Sequence, residues 1–141
     1  MSQSRIDLKA LVTQVSPASI DKRREIWEPV NGEFAAMRVS LFYFSEAIIP
    51  VGNHVHLWQE EIFFVISGAI RLLFLEDTVT KERLILGSLG KGTRIHIPAS
   101  IGHALIFELG STMAALSSKP FDQSDLFPYI IMGPNGEEIR P

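Results

Sequence analysis

The chain has 141 residues, 46% of them hydrophobic, and a formal charge of −3, which suits a single domain with one core. Its charges are interspersed rather than gathered into a basic stripe, which excludes nucleic acid as the main partner, and no apolar run reaches the ~18 residues of a membrane-spanning helix. Cysteine is absent, so disulfides, thiolate nucleophiles and cysteine-ligated zinc are excluded.

Residues 1–33 are predicted to form an N-terminal extension that packs on the main domain or exchanges with that of a second copy. Within it, residues 8–13 are compatible with a short helix or an edge strand, which Ser16-Pro17 ends. The charged segment 21–27 is expected to be solvated. The first residues contain no apolar segment of signal-peptide length, and we therefore expect a cytoplasmic protein.

Residues 34–132 form a series of short apolar runs separated by turn residues, with the spacing that is typical of β-sandwiches and barrels. The runs lie at 36–44, 47–49, 54–57, 61–66, 69–75, 83–87, 93–97, 104–109, 113–117 and 129–132. They predict an all-β fold, a small closed double sheet with a side-chain-filled interior. Residues 133–141 are rich in turn-forming residues and are predicted to be a C-terminal tail.

Three histidines and one carboxylate are predicted to meet at one point of this barrel. His54 and His56 lie on the same face of a strand because successive side chains alternate. Glu61 begins the next strand, and His103 begins a later one. Imidazoles with one carboxylate are a usual ligand set for a divalent transition metal with open positions, so the sequence predicts a site for zinc, iron, manganese or nickel.

Two neighbouring residues compete for places in this site. Glu60 is adjacent to Glu61, and only one of the two can face the site because adjacent strand residues face opposite ways. The spacing to Gly68 favours Glu61 and makes Glu60 a rim residue. His96 alternates with buried-type isoleucines, and it is therefore expected on the outer face, at solvent or at a subunit interface.

The ligand residues belong to two longer patterns, G-N-H-x-H-x4-E-x6-G over 52–68 and G-x5-P-x4-H over 92–103. Together these resemble the two signature motifs of the cupin superfamily over about residues 38–118. The resemblance implies a double-stranded β-helix, or jelly-roll, barrel. Ser100 stands where a second glycine is common and Phe107 where an asparagine is common, but neither is a ligand position.

A weaker resemblance concerns the reaction. Residues 51–56 and 118–129 are similar to segments of cupins that act on nucleotide-linked sugars, the ketoisomerases, epimerases and capsular-polysaccharide enzymes. That resemblance implies that His54 and His56 are catalytic and handle protons at the sugar, with Tyr43 projecting into the barrel as their partner. Val51 stands where those groups carry an arginine, and the candidates to replace that arginine are Arg71 and Arg94, if either faces the pocket.

We therefore expect a metal-binding enzyme that isomerises or epimerises a small polar metabolite such as a nucleotide-linked sugar. A metal-dependent dioxygenase or decarboxylase, and a non-catalytic cupin that binds a small ligand, are the alternatives that residue spacing leaves open. Apolar edge strands in the first and last segments predict a homodimer, because the unpaired N–H and C=O groups of an exposed edge tend to pair with another chain.

Overall fold

The computed structural model describes residues 6–45 and 49–140, and the predicted run at 47–49 falls mostly outside them. Two short 3₁₀ helices, Leu8–Leu11 and Gln123–Asp125, are the only helices of the described chain, and neither is long enough to cross a membrane. The strands are β1 (Val12–Gln14), β2 (Ser19–Ile20), β3 (Glu25–Ile26), β4 (Arg38–Tyr43), β5 (Val51–Val55), β6 (Glu61–Ser67), β7 (Ala69–Asp77), β8 (Arg83–Gly90), β9 (Thr93–Ile97), β10 (Ile101–Phe107), β11 (Thr112–Ser117) and β12 (Phe127–Pro128).

Two five-stranded antiparallel sheets form the barrel, and the prediction of an all-β jelly-roll fold is confirmed. One sheet has the strand order β1-β9-β6-β11-β4, and the other has the order β12-β5-β10-β7-β8. Strands β2 and β3 form a separate hairpin in the N-terminal extension. Because most neighbours in each sheet, β7 and β8 excepted, are not consecutive in the chain, residues from distant parts of the sequence meet inside the barrel.

The core lies between the two sheets and is built by the period-2 alternation of each strand. In β9, Ile95 and Ile97 point inward and are buried, whereas Arg94 and His96 alternate with them on the outer face. In the other strands, too, alternate residues point inward and form the core. They include Phe63, Val65, Leu73, Leu75, Leu105, Phe107 and Met113. Each such side chain contributes roughly 1.5–3 kcal/mol on burial.

Segments near both ends of the described chain pack against the sheets. In the N-terminal extension, β1 pairs with β9, and the ring of Trp27 lies 6.3 Å from that of Phe64. At the other end, Ile131 and Met132 pack with Phe74 and neighbouring apolar residues on the outside of the second sheet.

The strand predicted at 129–132 does not form. The last strand is β12, and Met132 makes only an isolated bridge to Glu138. The reason is that the Asn53 side chain accepts the backbone N–H groups of Ile131 and Met132, both at 3.0 Å, which a neighbouring strand would otherwise take. The following segment folds back, since the N–H of Ile139 donates to the carbonyl of Ile131.

A bulge in β5 decides which way the histidines point. His54 pairs with His103 and Gly52 pairs with Ala104, so Asn53 is an extra residue in the strand. Gly52 and Asn53 have φ angles of 92° and 56°, and a Cβ atom on Gly52 would lie 2.7 Å from the carbonyl oxygen of His103. As a result Val51 and His54, three residues apart, both face the interior.

Candidate functional site

The structure brings the four predicted ligands together at one end of the barrel. His54 is in β5, His56 lies just beyond its end, Glu61 begins β6, and His103 is in β10. One ligand atom from each lies within 4.8 Å of the others. Glu61 and His103 are buried, and the other two are half-buried and line a cavity. Their binding of a metal stays a prediction.

Two backbone carbonyls orient the imidazoles. His56 Nδ1 lies 2.6 Å from the carbonyl oxygen of Asp125, and His103 Nδ1 lies 3.4 Å from that of Ile101. Since a carbonyl can only accept, each Nδ1 carries a proton, and in the neutral ring Nε2 presents a lone pair to the cluster. Metal-binding histidines are usually oriented in this way.

Two polar atoms lie at the centre of the cluster. His103 Nε2 and Glu61 Oε1 are both buried and lack a hydrogen-bond partner among the described residues. His56 Nε2 lies 3.1 Å from Glu61 Oε1, but the neutral ring has no proton there to donate. Each unsatisfied buried group costs about 1–3 kcal/mol, and a cation or a proton at this point would remove that cost.

This donor set fits a divalent metal. Bonds of roughly 2.0–2.2 Å to nitrogen and oxygen place ligand atoms up to about 4.4 Å apart, close to the 4.8 Å limit of the cluster. Three imidazole nitrogens and one carboxylate oxygen fill a tetrahedral site, and they leave exchangeable positions on an ion that takes five or six ligands.

The surroundings shift the four pKa values in different directions. Burial and the neighbouring histidines lower the pKa of His54, and they lower that of His103 to about 4. Burial also lowers the pKa of His56, but the Glu61 carboxylate and the Asp125 carbonyl outweigh it, and the net shift is upward. Burial raises the pKa of Glu61, but the adjacent histidines outweigh it and lower the value. The cluster therefore has two imidazoles, His54 and His103, that lose their protons more readily than usual, beside His56, which holds its proton more strongly.

Asp125 was not identified from the sequence, although it supports the whole site. Its buried carboxylate accepts the backbone N–H groups of Leu57, Trp58 and Gln59 at 2.7–3.2 Å. It thereby fixes the short connection between His56 and Glu61. The only sequence signal was the resemblance over 118–129, which singled out no residue.

A cavity of about 310 Å³ opens onto the cluster and continues into a narrower pocket of about 100 Å³. His54, Glu61 and Phe42 line both parts. The outer part is further lined by Arg38, Ser40, His56, Gln59, Phe121, Asp122 and Leu126. Val51 lines the inner pocket, where it packs against the core. Among the described residues of this lining, Arg38 is the one basic side chain besides the histidines. It was not predicted from the sequence.

The predicted inward projection of Tyr43 is wrong. Arg38, Ser40 and Phe42 of β4 line the cavity, so the alternation of the strand places Tyr43 on the outer face, where it is 70% exposed. The structure therefore does not bring Tyr43 to His54 and His56.

Other sequence candidates also lie on the outside. Glu60 pairs with His96 at 2.9 Å, which leaves Glu61 as the carboxylate of the site. Arg71 pairs with Glu108 and Arg94 with Glu33, and neither arginine lines the cavity. The two arginines considered as replacements at Val51 are thus not available to the site.

Comparison with protein-family models identifies one family. Residues 20–130 match the family model described as FdtA: WxcM-like, C-terminal. Comparison with curated proteins finds no match. Among solved structures, the chain is similar to the TDP-fucose-3,4-ketoisomerase WlaRA from Campylobacter jejuni, at 19% identity over 82% of this chain and 86% of that one, with a TM-score of 0.66.

Two further structures are similar. The sugar 3,4-ketoisomerase QdtA from Thermoanaerobacterium thermosaccharolyticum, in complex with TDP, has 18% identity over 84% of this chain and 88% of its own, with a TM-score of 0.70. The 3'-monoepimerase ChmJ from Streptomyces bikiniensis, in complex with dTDP-quinovose, has 18% identity over 82% of this chain and 66% of its own, also with a TM-score of 0.70. At these identities the likeness establishes a shared fold.

Proposed function

The chain belongs to the FdtA family of WxcM-like C-terminal domains, and from this premise we propose that it isomerises or epimerises a nucleotide-linked keto sugar. The observation that carries the proposal is the placement of His54 and His56 side by side in the wall of one cavity, their ring centroids 5.1 Å apart. The similar solved structures include ketoisomerases and an epimerase of such sugars.

The proposed chemistry needs a base and an acid on one substrate. A base removes the proton from the carbon next to the sugar carbonyl while an acid protonates the carbonyl oxygen, which gives an enediol. Return of a proton to the same carbon on the other face is epimerisation. Loss of the proton from the neighbouring hydroxyl and protonation of the former carbonyl carbon is isomerisation. Neither route consumes a further reactant, and His54 and His56 are the proton carriers that face the cavity.

As an alternative role for the same cluster, we propose that His54, His56, Glu61 and His103 hold a divalent transition metal. The unpartnered His103 Nε2 and Glu61 Oε1 support it. When bound, such an ion polarises a carbonyl oxygen and so acidifies the adjacent C–H group. A nitrogen that ligates a metal does not carry a proton to the sugar, so the metal content of the protein decides which role each histidine has. Elemental analysis of protein purified without a chelating tag measures it.

The reaction is tested by proton NMR in D₂O with TDP-4-keto-6-deoxyglucose, the ligand of a QdtA variant. Both routes exchange the proton next to the carbonyl for deuterium, and we expect exchange faster than without protein. His54→Asn should slow it at least a hundredfold, as loss of a general acid or base does. His96→Asn, on the outer face, is the matched control. Absence of exchange with the wild-type protein contradicts the proposed function.

We also propose a homodimer that uses the exposed face of β4. This strand is at the edge of its sheet, and its outward residues Val39, Leu41 and Tyr43 are 62%, 57% and 70% exposed. An apolar edge of this kind is suited to pair with a second copy. Light scattering should give twice the chain mass for the wild type and the monomer mass for Leu41→Glu; a monomeric wild type contradicts the proposal.

A further inference from the structure

We infer that Arg38 forms a subsite for an anionic oxygen group of the ligand, a phosphoryl group or a carboxylate, beside the histidine cluster. The inference rests on the proposed function only in that it concerns the same cavity. It specifies that the molecule taken up carries a negative charge next to the part that faces His54 and His56.

Arg38 is directed into the cavity by its strand. In β4 the cavity-lining residues are Arg38, Ser40 and Phe42, whereas Val39 and Leu41 between them are exposed on the other face. The guanidinium therefore shares one cavity with His54, His56 and Glu61. A charged residue at an inward position of a barrel is costly unless it has a partner or a ligand.

The guanidinium is held in place but is not satisfied. One terminal nitrogen donates to the Ser117 hydroxyl at 3.1 Å, and the group lies 5.4 Å from the centroid of the Phe121 ring. The Nε atom is buried and has no hydrogen-bond partner among the described residues. A planar guanidinium with free N–H groups matches the oxygens of a carboxylate or phosphate, which it binds through two parallel hydrogen bonds.

The other arginines provide a comparison within the chain. Five of them, Arg23, Arg71, Arg83, Arg94 and Arg140, each lie within 3.1 Å of a carboxylate oxygen. Arg38 has no such ion pair among the described residues. Asp122 lines the same cavity, but its Oδ1 accepts the N–H and the hydroxyl of Ser124. Arg24 also has no ion pair but is exposed to solvent, so Arg38 is the one partly buried arginine of the described residues without a carboxylate partner. An anionic ligand would supply that partner.

The size of the cavity limits what the anion is attached to. A volume of about 310 Å³ is at the lower end of the range of roughly 300–1,000 Å³ for ligand pockets. It suits a sugar ring with one attached anion, and the rest of a nucleotide would extend out of the mouth. The two sources of the anion are the phosphoryl group at the anomeric carbon of a nucleotide sugar and the carboxylate of a sugar acid.

Isothermal titration calorimetry with TDP-glucose, glucuronate and methyl glucoside tests the inference without relying on turnover. For the wild type we expect binding of one of the two anionic probes and weaker binding of the neutral one. Arg38→Met should weaken binding of that anionic probe at least tenfold. Arg38→Lys keeps the charge but not the planar guanidinium, and its affinity for the probe should lie between those of the wild type and Arg38→Met. Arg71→Met is the control, because that side chain is outside the cavity. Thermal melts establish that each variant is folded.

The outcomes separate this inference from the proposed function. Binding of TDP-glucose through Arg38 identifies the phosphoryl group. Binding of glucuronate through Arg38, without TDP-glucose, keeps the subsite and contradicts nucleotide-sugar chemistry. Equal affinities of the wild type and a folded Arg38→Met variant, or no anion binding by the wild type, overturn the inference whether or not the protein exchanges deuterium into a keto sugar.

Discussion

Two buried polar clusters on either side of one sheet differ in how completely they are hydrogen-bonded. On the outer face, Arg83 pairs with Glu76 at 2.9 Å and with Glu138 at 3.1 Å, and it donates to the carbonyl of Ile139 at 2.8 Å. The hydroxyl of Tyr129 donates to the other oxygen of Glu76. On the inner face, the cluster of His54, His56, Glu61 and His103 leaves two buried atoms without a partner in the part of the chain that the structure describes.

The difference is the one expected between a structural cluster and a ligand site. The outer cluster joins β7 and β8 to the C-terminal segment, and each of its charges is compensated within the chain. The inner cluster is also largely buried but is incomplete without a ligand or a proton. Unsatisfied buried polar groups are rare in folded proteins, and they point to a site when several converge.

The largest effect is expected from breaking the outer cluster. Arg83→Met leaves the buried Glu76 carboxylate without its main partner, and we expect the free energy of unfolding in urea to fall by about 3–5 kcal/mol. Arg71→Met removes a half-exposed ion pair and should change it by less than about 1 kcal/mol. A loss of under 1 kcal/mol for the Arg83 variant would contradict the structural role of this cluster.

A pH titration of stability tests the inner cluster. His103 has a pKa of about 4 in the folded protein, below its unfolded value of about 6.5. Between these values the unfolded chain binds the proton and the folded one does not, so stability should fall as the pH drops from 6.5 to 4, by up to about 1.4 kcal/mol per unit. The pKa of His56 is raised, so the contribution of its protonation to folding stability is lost as the pH rises above about 6.5.

Urea unfolding in EDTA at several pH values measures this slope. His103→Gln should flatten it, because glutamine does not titrate, whereas His96→Asn, half exposed on the outer face, should leave it unchanged. The same slope in His103→Gln as in the wild type would show that another group is responsible.

Metal addition should distinguish the clusters directly. At a free zinc concentration one hundred times the Kd, an ion that binds only the folded state adds about 2.7 kcal/mol to the free energy of unfolding. We expect this gain in the wild type and its loss in His103→Gln, whereas it should persist in Arg71→Met. If differential scanning fluorimetry shows no shift with zinc, manganese, iron(II) or nickel, the inner cluster is a proton site rather than a metal site.

The smallest effect is expected at the residue that supports the inner cluster. Asp125→Asn keeps one acceptor oxygen but loses the charge that holds three backbone N–H groups, and we expect a loss of about 1–2 kcal/mol in unfolding free energy. Asp122→Asn changes an exposed carboxylate and should lower the unfolding free energy by less. Unchanged stability in the Asp125 variant would show that the connection from His56 to Glu61 is held by other contacts.

The inner cluster was predictable from sequence through strand alternation and through the resemblance to the cupin motifs. Strand alternation puts His54 and His56 on one face, and the spacing of glycines around Glu61 and His103 identifies the motif. Tyr43 was placed wrongly because nothing in the sequence gives the phase of β4 relative to β5. Arg38 was missed because an arginine in an apolar run is normally solvated.

The outer cluster and Asp125 were not predictable, because their partners are distant in sequence. The Asp125 carboxylate binds backbone groups 66–68 positions away, and Arg83 reaches Glu138 across 55 positions. The wrong prediction of a strand at 129–132 has the same cause, a contact between residues distant in sequence. Its composition suits a strand, but the Asn53 side chain has already taken its N–H groups.

The bulge at Asn53 gives this barrel a site that depends on the length of one strand. Without the extra residue, strand alternation would turn either Val51 or the two histidines away from the interior. A single-codon deletion at this position would therefore move His54 and His56 to the outside, or empty the core at Val51, while the overall composition of the protein stayed almost unchanged. In evolution, one inserted codon in an inert barrel of this shape would be enough to bring two imidazoles into its cavity.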